Sequence, residues 1–150
     1  MDKQRLEQFI RESFRIEGIH RQPSSAEMEA HEQLLALPVV TVSDLQQFVS
    51  VIQPGAVLRD RLGLDVRVGD YVAPSGGPEV RADLVDMLQL IQMAQSDSWP
   101  HKCHKAYERL HPFTDGNGRS GRALWLWQHC KRGTYMGLGF LHQWYYESLR

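Results

Sequence analysis

The sequence predicts an all-α fold that carries one short β-hairpin. Along most of the 150-residue chain, apolar residues recur at three- and four-residue spacing, which is typical of helices that bury one face. One segment, residues 66–72, changes to an alternating pattern and favours a hairpin. With 42% apolar and 23% charged residues the chain can bury one core, so we expect a single domain over residues 1–150.

The N-terminal segment predicts a helix that ends near Ile16. Its apolar residues share one helical face because of their spacing. They are Leu6, Phe9, Ile10 and Phe14. We expect Gly18 to stop this helix, since glycine readily adopts the left-handed backbone found at helix ends.

Two further helices are predicted before the hairpin. Ser24 stands three residues before Glu27, the spacing of a capping box, and the helix that it opens must end near the next proline. The third helix has an apolar face over residues 45–52, and we expect Ser43 or Asp44 to cap it.

Three more helices are expected after the hairpin and its glycine- and proline-rich loop, residues 73–78. The first has an apolar face over residues 80–91, and the second begins at Trp99. The third is apolar nearly all round over residues 123–130, which indicates a buried helix, and Gly133 ends it. Residues 138–149 are a weaker candidate for a last helix.

The charge balance and the apolar pattern argue against several classes of partner. Seventeen basic and eighteen acidic residues leave a formal charge of −1, so no overall positive field attracts nucleic acid or an anionic membrane. No apolar run is long enough to cross a bilayer, and the N-terminal residues lack the apolar core that is typical of a signal peptide. We therefore expect a cytoplasmic protein without membrane or nucleic-acid partners. Cys103 and Cys130 are expected to be small buried hydrophobic residues.

The most informative segment is residues 111–122, HPFTDGNGRSGR. Pro112 disfavours helical geometry at His111, so the preceding helix should stop there and leave the imidazole at the mouth of a loop. A histidine exchanges protons readily near neutral pH, which suits it to act as a base. Asp115 offers a hard oxygen ligand suited to a magnesium ion that keeps most of its waters and bridges phosphate oxygens.

The glycine-rich part of this segment predicts a phosphate site. Gly116, Asn117 and Gly118 adopt positive φ at little cost, so their N–H groups could form an anion-binding nest. We expect the next helix to begin at about Arg119 and to add the positive end of its dipole. Arg119 and Arg122 share one face of its first turn, where they repel each other unless an anion lies between them.

Each of these features alone has an ordinary structural explanation. A Gly-Asn-Gly sequence is a common loop, a histidine before proline often ends a helix, and an arginine pair usually belongs to a solvated surface. A base, a carboxylate, a nest and two arginines within twelve residues are best explained together, as a site for a polyphosphate.

The segment matches the signature HPFx(D/E)GNGRxxR at every specified position, and the chain therefore resembles Fic-domain proteins. The likeness covers roughly residues 58–133. It includes His104, where the family commonly has a histidine, and the hairpin, which looks like the family's flap. The resemblance implies the Fic fold, with a helical core and the hairpin lying over the active site.

The resemblance also implies an activity, that of a protein adenylyltransferase. Such an enzyme moves AMP from ATP to a Ser, Thr or Tyr hydroxyl of a target protein and releases pyrophosphate. By this likeness His111 is the general base, Asp115 holds Mg²⁺, and Phe113 faces the core and anchors the loop. The residues implied to bind ATP are Gly116, Asn117, Gly118, Arg119 and Arg122.

The hairpin is expected to hold the target by strand-like main-chain pairing. The residues of this predicted flap are Val68, Gly69, Asp70, Tyr71 and Val72. Pairing of this kind would align a hydroxyl while reading little of the target's sequence.

A second resemblance lies in the N-terminal helix. Ser13, Glu17 and Gly18 fit the inhibitory motif (S/T)xxxE(G/N) of one class of Fic proteins, in which the glutamate pairs with the second arginine of the signature, here Arg122. Ser13 and Glu17 lie one helical turn apart and face the same way. We therefore expect residues 1–22 to form an inhibitory helix. The alternative is that Glu17 is a solvated surface carboxylate.

Other functions stay open at this stage. The glycine after the signature asparagine, Gly118, favours adenylylation over phosphorylation, but transfer of another phosphate-containing group, or removal of AMP, is an alternative. A non-catalytic binding module is another, against which the complete motif argues. A zinc site is a third, but the candidate ligands lack tetrahedral ligand spacing. Those ligands are His101, Cys103, His104, His129 and Cys130. The sequence also leaves a homo-oligomer open.

Overall fold

The computed structural model describes residues 1–93 and 96–137. Within them it has six helices and one two-stranded antiparallel sheet, so the predicted all-α fold with a single hairpin is confirmed. The elements are α1 (Lys3–Ile16), α2 (Ser25–Ala36), α3 (Val42–Ile52), β1 (Arg67–Val68), β2 (Tyr71–Val72), α4 (Pro78–Ile91), α5 (Trp99–Leu110) and α6 (Asn117–Arg132). The weaker helix candidate at 138–149 lies outside the described residues.

Helix α6 is the centre of the packing and contacts α1, α2, α3 and α5. Its partner α5 is fixed to it by a buried hydrogen bond between the hydroxyls of Tyr107 and Ser120, 2.8 Å apart. The segment that joins these two helices carries the predicted motif. Its two ends are therefore held by the best-packed pair of helices in the fold.

Helix α1 is attached by an apolar cluster of its own. The face predicted from the sequence is buried, and it packs with Met28 and Leu126. Burial of each large apolar side chain is worth roughly 1.5–3 kcal/mol. The position of α1 on the rest of the fold is thus set by hydrophobic packing as well as by polar contacts.

The helix ends agree with the sequence in most places. Ser24 and Glu27 form the predicted capping box of α2. Gly18 has φ of 74° and follows the end of α1, and Gly133 follows the end of α6.

Two helix starts differ from expectation. Helix α3 is capped by Thr41 rather than by Ser43 or Asp44, because Asp44 is the third helical residue and its carboxylate accepts the Thr41 N–H at 2.8 Å. Helix α6 begins at Asn117 rather than at about Arg119. Only Gly116 of the predicted nest has positive φ, 75°, and the backbone of the next two residues is already helical.

The hairpin has the predicted position. Arg67 pairs with Val72 and Val68 with Tyr71, which leaves Gly69 and Asp70 as the turn. The Tyr71 hydroxyl donates a hydrogen bond of 2.5 Å to the Arg109 carbonyl, near the end of α5.

Burial of the two cysteines agrees with their predicted hydrophobic role. Cys103 is buried and Cys130 half-buried, and burial raises the pKa of both thiols, that of Cys103 to about 11. None of the helices in the described ranges has the length and apolar character that a membrane span requires.

Candidate active site

A cavity of about 440 Å³ lies between the hairpin, the end of α5, the start of α6 and the end of α1. Its walls include Glu17, Arg67, Glu108, His111 and residues 114–118. A cavity of about 500 Å³ lies beside the end of α1, but its walls are residues 11, 15 and 19–22, outside the motif. The position of the motif, rather than cavity size, therefore identifies the candidate site.

His111 is held in an unusual backbone conformation at the end of α5. Its φ of 48° is the only positive φ of a non-glycine residue in the described chain. Its Nδ1 lies within hydrogen-bond distance of the Glu108 carbonyl. Because a carbonyl only accepts, Nδ1 must carry a proton, and in the neutral form of the ring Nε2 then has the lone pair. The imidazole is thus oriented and protonated as a general base requires.

The loop after His111 is anchored from both sides. Phe113 is fully buried, as predicted, and forms an antiparallel bridge with Leu58. The Asn117 side chain accepts the Phe113 N–H at 2.8 Å and donates to the Phe113 carbonyl at 2.8 Å. Asn117 therefore uses its amide to close the loop, and the group that it can offer an anion is its backbone N–H at the start of α6.

Arg122 binds the end of α1. Its guanidinium is fully buried and donates from Nε to Ser13 Oγ at 2.8 Å, from Nη2 to the Ser13 carbonyl at 2.9 Å, and from Nη2 to Glu17 Oε1 at 2.7 Å. The contact that the sequence suggested between Glu17 and the second signature arginine is thus present, and Ser13 joins it. Gly18 follows and ends the helix.

Gly118 lies directly under this ion pair. A Cβ atom at Gly118 would collide with Glu17 Oε1 and would lie 2.9 Å from Arg122 Nη1. The carboxylate of Glu17 therefore rests on the backbone at the start of α6, where the sequence predicts bound phosphate. His104 is buried nearby in α5, and burial together with the Arg122 cation lowers its pKa to about 3, so its ring is neutral.

Arg119 has different partners from Arg122. It is 6% exposed, and its guanidinium donates to the Ile52 carbonyl at 2.9 Å and to Gln53 Oε1 at 2.6 Å. Burial lowers its pKa, although the nearby Glu17 carboxylate acts in the opposite direction. Gln53 could not be predicted as a partner of Arg119, because a single glutamine at a helix end resembles any surface residue. The predicted contact of Arg119 with phosphate stays a prediction.

Asp115 fits the predicted metal role by its chemistry. Its carboxylate is exposed at the cavity, and Oδ1 accepts the Gly116 N–H at 2.7 Å. One carboxylate beside a phosphate site suits Mg²⁺, which usually keeps several waters and takes few protein ligands. No three His, Cys, Asp or Glu side chains of the described chain come together as a metal cluster.

Comparison with known proteins identifies the family. The model of the Fic/DOC family matches residues 31–128, which is more than half of the chain. The chain belongs to the Fic/DOC family. No curated protein matches it. The family typically transfers nucleotidyl or other phosphate-containing groups, which places this Fic protein among such transferases.

The matched range contains part of the Fic protein's site but not all of it. The hairpin, Asp115, His111 and the start of α6 lie inside residues 31–128. Helix α1 and the residues Ser13 and Glu17 lie outside them, so the family match does not bear on the inhibitory role predicted for α1.

Proposed function

We propose that this Fic protein transfers AMP from ATP to a hydroxyl group of a target protein, and that α1 restrains the reaction. The observation that carries the proposal is that one cavity is bordered by the Nδ1-protonated His111 and by the N-terminus of α6. A base and an anion-binding helix start at the same cavity are the two parts that in-line attack on a phosphate ester needs.

The phosphates of ATP bind at the start of α6. The first N–H groups of a helix have no acceptor within it, so those of Asn117, Gly118 and Arg119 favour phosphate oxygens. Arg122 adds a cation for the terminal phosphate once Glu17 has moved away. Asp115 would hold Mg²⁺, which when bound neutralises charge on the phosphate oxygens.

His111 Nε2 takes the proton from the target hydroxyl as its oxygen attacks the α-phosphorus. A bond forms between that oxygen and the α-phosphorus, and the bond from the α-phosphorus to the bridging oxygen breaks. The electron pair leaves with pyrophosphate. Positive charge at the start of α6 stabilises the charge that develops on this leaving group.

The target lies along the hairpin in this proposal. Both strands are exposed, and Val68, Tyr71 and Val72 present apolar side chains to solvent. Main-chain pairing with a strand of the target would bring its hydroxyl towards His111, because the hairpin borders the same cavity.

Glu17 restrains the reaction because it occupies the place of the terminal phosphate. Its carboxylate neutralises Arg122 and covers Gly118, so a triphosphate at that position meets both a clash and a negative charge. ATP then binds weakly or in an unproductive position.

The test is AMP transfer to the proteins of a cell lysate from ATP labelled at the α-phosphate. Glu17→Gly should transfer the label. The rate of transfer should be ~100- to 10,000-fold lower when Glu17→Gly is combined with His111→Ala. Transfer that does not depend on His111 would contradict the proposal.

A further inference from the structure

We propose that Arg59 is a positioning residue that fixes the hairpin and His111 relative to each other, so that a target held on the hairpin meets the base. The inference rests on the proposed function, since it concerns the same reaction. Arg59 lies outside the signature, between the third helix and the hairpin, and it is fully buried.

One side of the Arg59 guanidinium holds the end of α5. Nε donates to the His111 carbonyl at 2.6 Å, and Nη2 donates to the Leu110 carbonyl at 2.8 Å. The last carbonyls of a helix have no donor within it, so an outside donor is needed when they are buried. A cation at this end is also favoured by the helix dipole.

The other side of the same guanidinium holds both ends of the hairpin. Nη1 donates to the Leu64 carbonyl at 3.0 Å, three residues before β1, and to the Pro74 carbonyl at 2.8 Å, two residues after β2. A single planar group thus joins the start and the end of the hairpin to the residue that carries the base.

The backbone around Arg59 strengthens this connection. The Arg59 N–H donates to the Pro112 carbonyl at 2.9 Å, and the Arg59 carbonyl accepts the Gly77 N–H at 3.0 Å. The main chain and side chain of this one residue therefore contact the motif loop on one side and the segment that follows the hairpin on the other.

The strained backbone of His111 gives these contacts a consequence for the reaction. A non-glycine residue in the left-handed region is strained, and this conformation persists only where its surroundings impose it. Arg59 binds the carbonyl of that very residue. We infer that without this guanidinium His111 relaxes and its ring leaves its position at the cavity that the hairpin also borders.

Lysine cannot replace arginine in this role. The guanidinium presents its donors in a rigid plane, whereas an ammonium is a compact charge that cannot reach four carbonyls spread around the edge of that plane. Arg59→Lys keeps the buried positive charge but loses the planar set of donors, so it tests the hydrogen bonds separately from the charge.

The experiment is carried out in the Glu17→Gly chain, with Mg²⁺ and α-labelled ATP, and measures automodification and ATP affinity. Rates are expressed per ATP-binding molecule, so that a loss of folded protein does not imitate a loss of catalysis. Arg81→Lys is the matched control, since Arg81 makes a surface ion pair of 3.2 Å with Asp60, the neighbour of Arg59.

Arg59→Lys should lower transfer per ATP-binding molecule by ~10- to 100-fold while ATP affinity is retained. It should also change the ¹⁵N signals of the His111 ring, because the Nδ1-protonated form depends on the position of that residue. Arg81→Lys should leave rate, affinity and signals as they are. A normal rate per ATP-binding molecule in Arg59→Lys would overturn the inference and leave Arg59 a structural residue.

A second variant decides the matter if Arg59→Lys does not fold. Asp65 Oδ1 accepts the Gly76 N–H at 2.8 Å and closes the base of the hairpin, and its charge also acts on Arg59, whose pKa it raises against the effect of burial. Asp65→Ala should therefore shift the His111 ring signals through Arg59, and unchanged signals would refute the coupling. Failure of the proposed function is distinct, because then the Glu17→Gly parent itself transfers no AMP, and the His111 signals still test the coupling.

Discussion

Replacement of Glu17 by glycine should activate the protein. The carboxylate lies 2.7 Å from Nη2 of Arg122, whose side chain is fully buried, while that of Glu17 is 31% exposed. A hydrogen bond between charged groups is worth roughly 1.5–3 kcal/mol, and each 1.4 kcal/mol is tenfold, so breaking the pair should raise transfer by ~10- to 150-fold at low ATP. Solvent at Glu17 screens the pair, which favours the lower part of this range.

The fold should survive this change. Glu17 is the C-cap of α1, where a glycine costs at most about 1 kcal/mol, and Arg122 keeps its hydrogen bonds to Ser13. The matched control is Glu12→Gly, which removes a longer ion pair of 3.8 Å between the half-buried Glu12 and the exposed Arg15 of the same helix.

The assay is the rate of α-label transfer against ATP concentration, together with thermal unfolding of each variant. Glu17→Gly should gain activity, Glu12→Gly should not, and Arg122→Ala should abolish the gain. A folded Glu17→Gly protein that transfers at the wild-type rate would refute the reasoning and make Glu17 an ordinary surface carboxylate. An equal gain in Glu12→Gly would mean that loosening of α1, rather than the ion pair, is responsible.

Three further predictions concern the metal ligand, the anchor of the motif loop and the pH dependence of stability. Asp115→Ala should reduce transfer and flatten its dependence on magnesium concentration, because the protein ligand of the metal is lost; an unchanged titration would speak against this role. Phe113→Ala should lower the free energy of unfolding in urea by ~3–5 kcal/mol, because the ring is fully buried, and a loss below 1 kcal/mol would be at odds with its role as anchor. Burial lowers the pKa of His31 to about 4, so the unfolded chain binds the extra proton below its ordinary pKa of 6.5. The free energy of unfolding is unaffected by this proton above pH 6.5, and it decreases by on the order of 3 kcal/mol as pH falls from 6.5 to 4. His31→Gln should therefore reduce the difference between the free energies of unfolding measured in urea at pH 7 and at pH 5. An unchanged difference would show that His31 is not its source.

The sequence predicted the structure correctly where neighbouring residues alone decide it, as at several helix ends. Gly18 and the Ser24 capping box are examples, because each requires only neighbouring residues. The cap of α3 was placed two or three residues too late, since Asp44 can cap a helix or serve as its third residue, and only the Thr41 hydroxyl decides between them.

The contacts of the site depended on the fold. Arg59 stands between Leu58 and Asp60 and resembles a surface arginine, because its four acceptors belong to residues 64, 74, 110 and 111, which are distant in sequence. Gln53 is a similar case, since it contributes to the site by accepting a hydrogen bond from Arg119, 66 positions away. The start of α6 was misplaced because the Asn117 amide binds Phe113 and lets the helix begin earlier.

The most direct test of the account uses ATP labelled in two positions. Glu17→Gly protein is incubated with lysate and magnesium, once with label at the α-phosphate and once at the γ-phosphate, and the proteins are separated and counted. We expect stable labelling from the α-position alone, dependent on His111, with pyrophosphate released. Labelling from the γ-position that is lost with His111→Ala, or no His111-dependent labelling from either position, would contradict AMP transfer as the function of this chain.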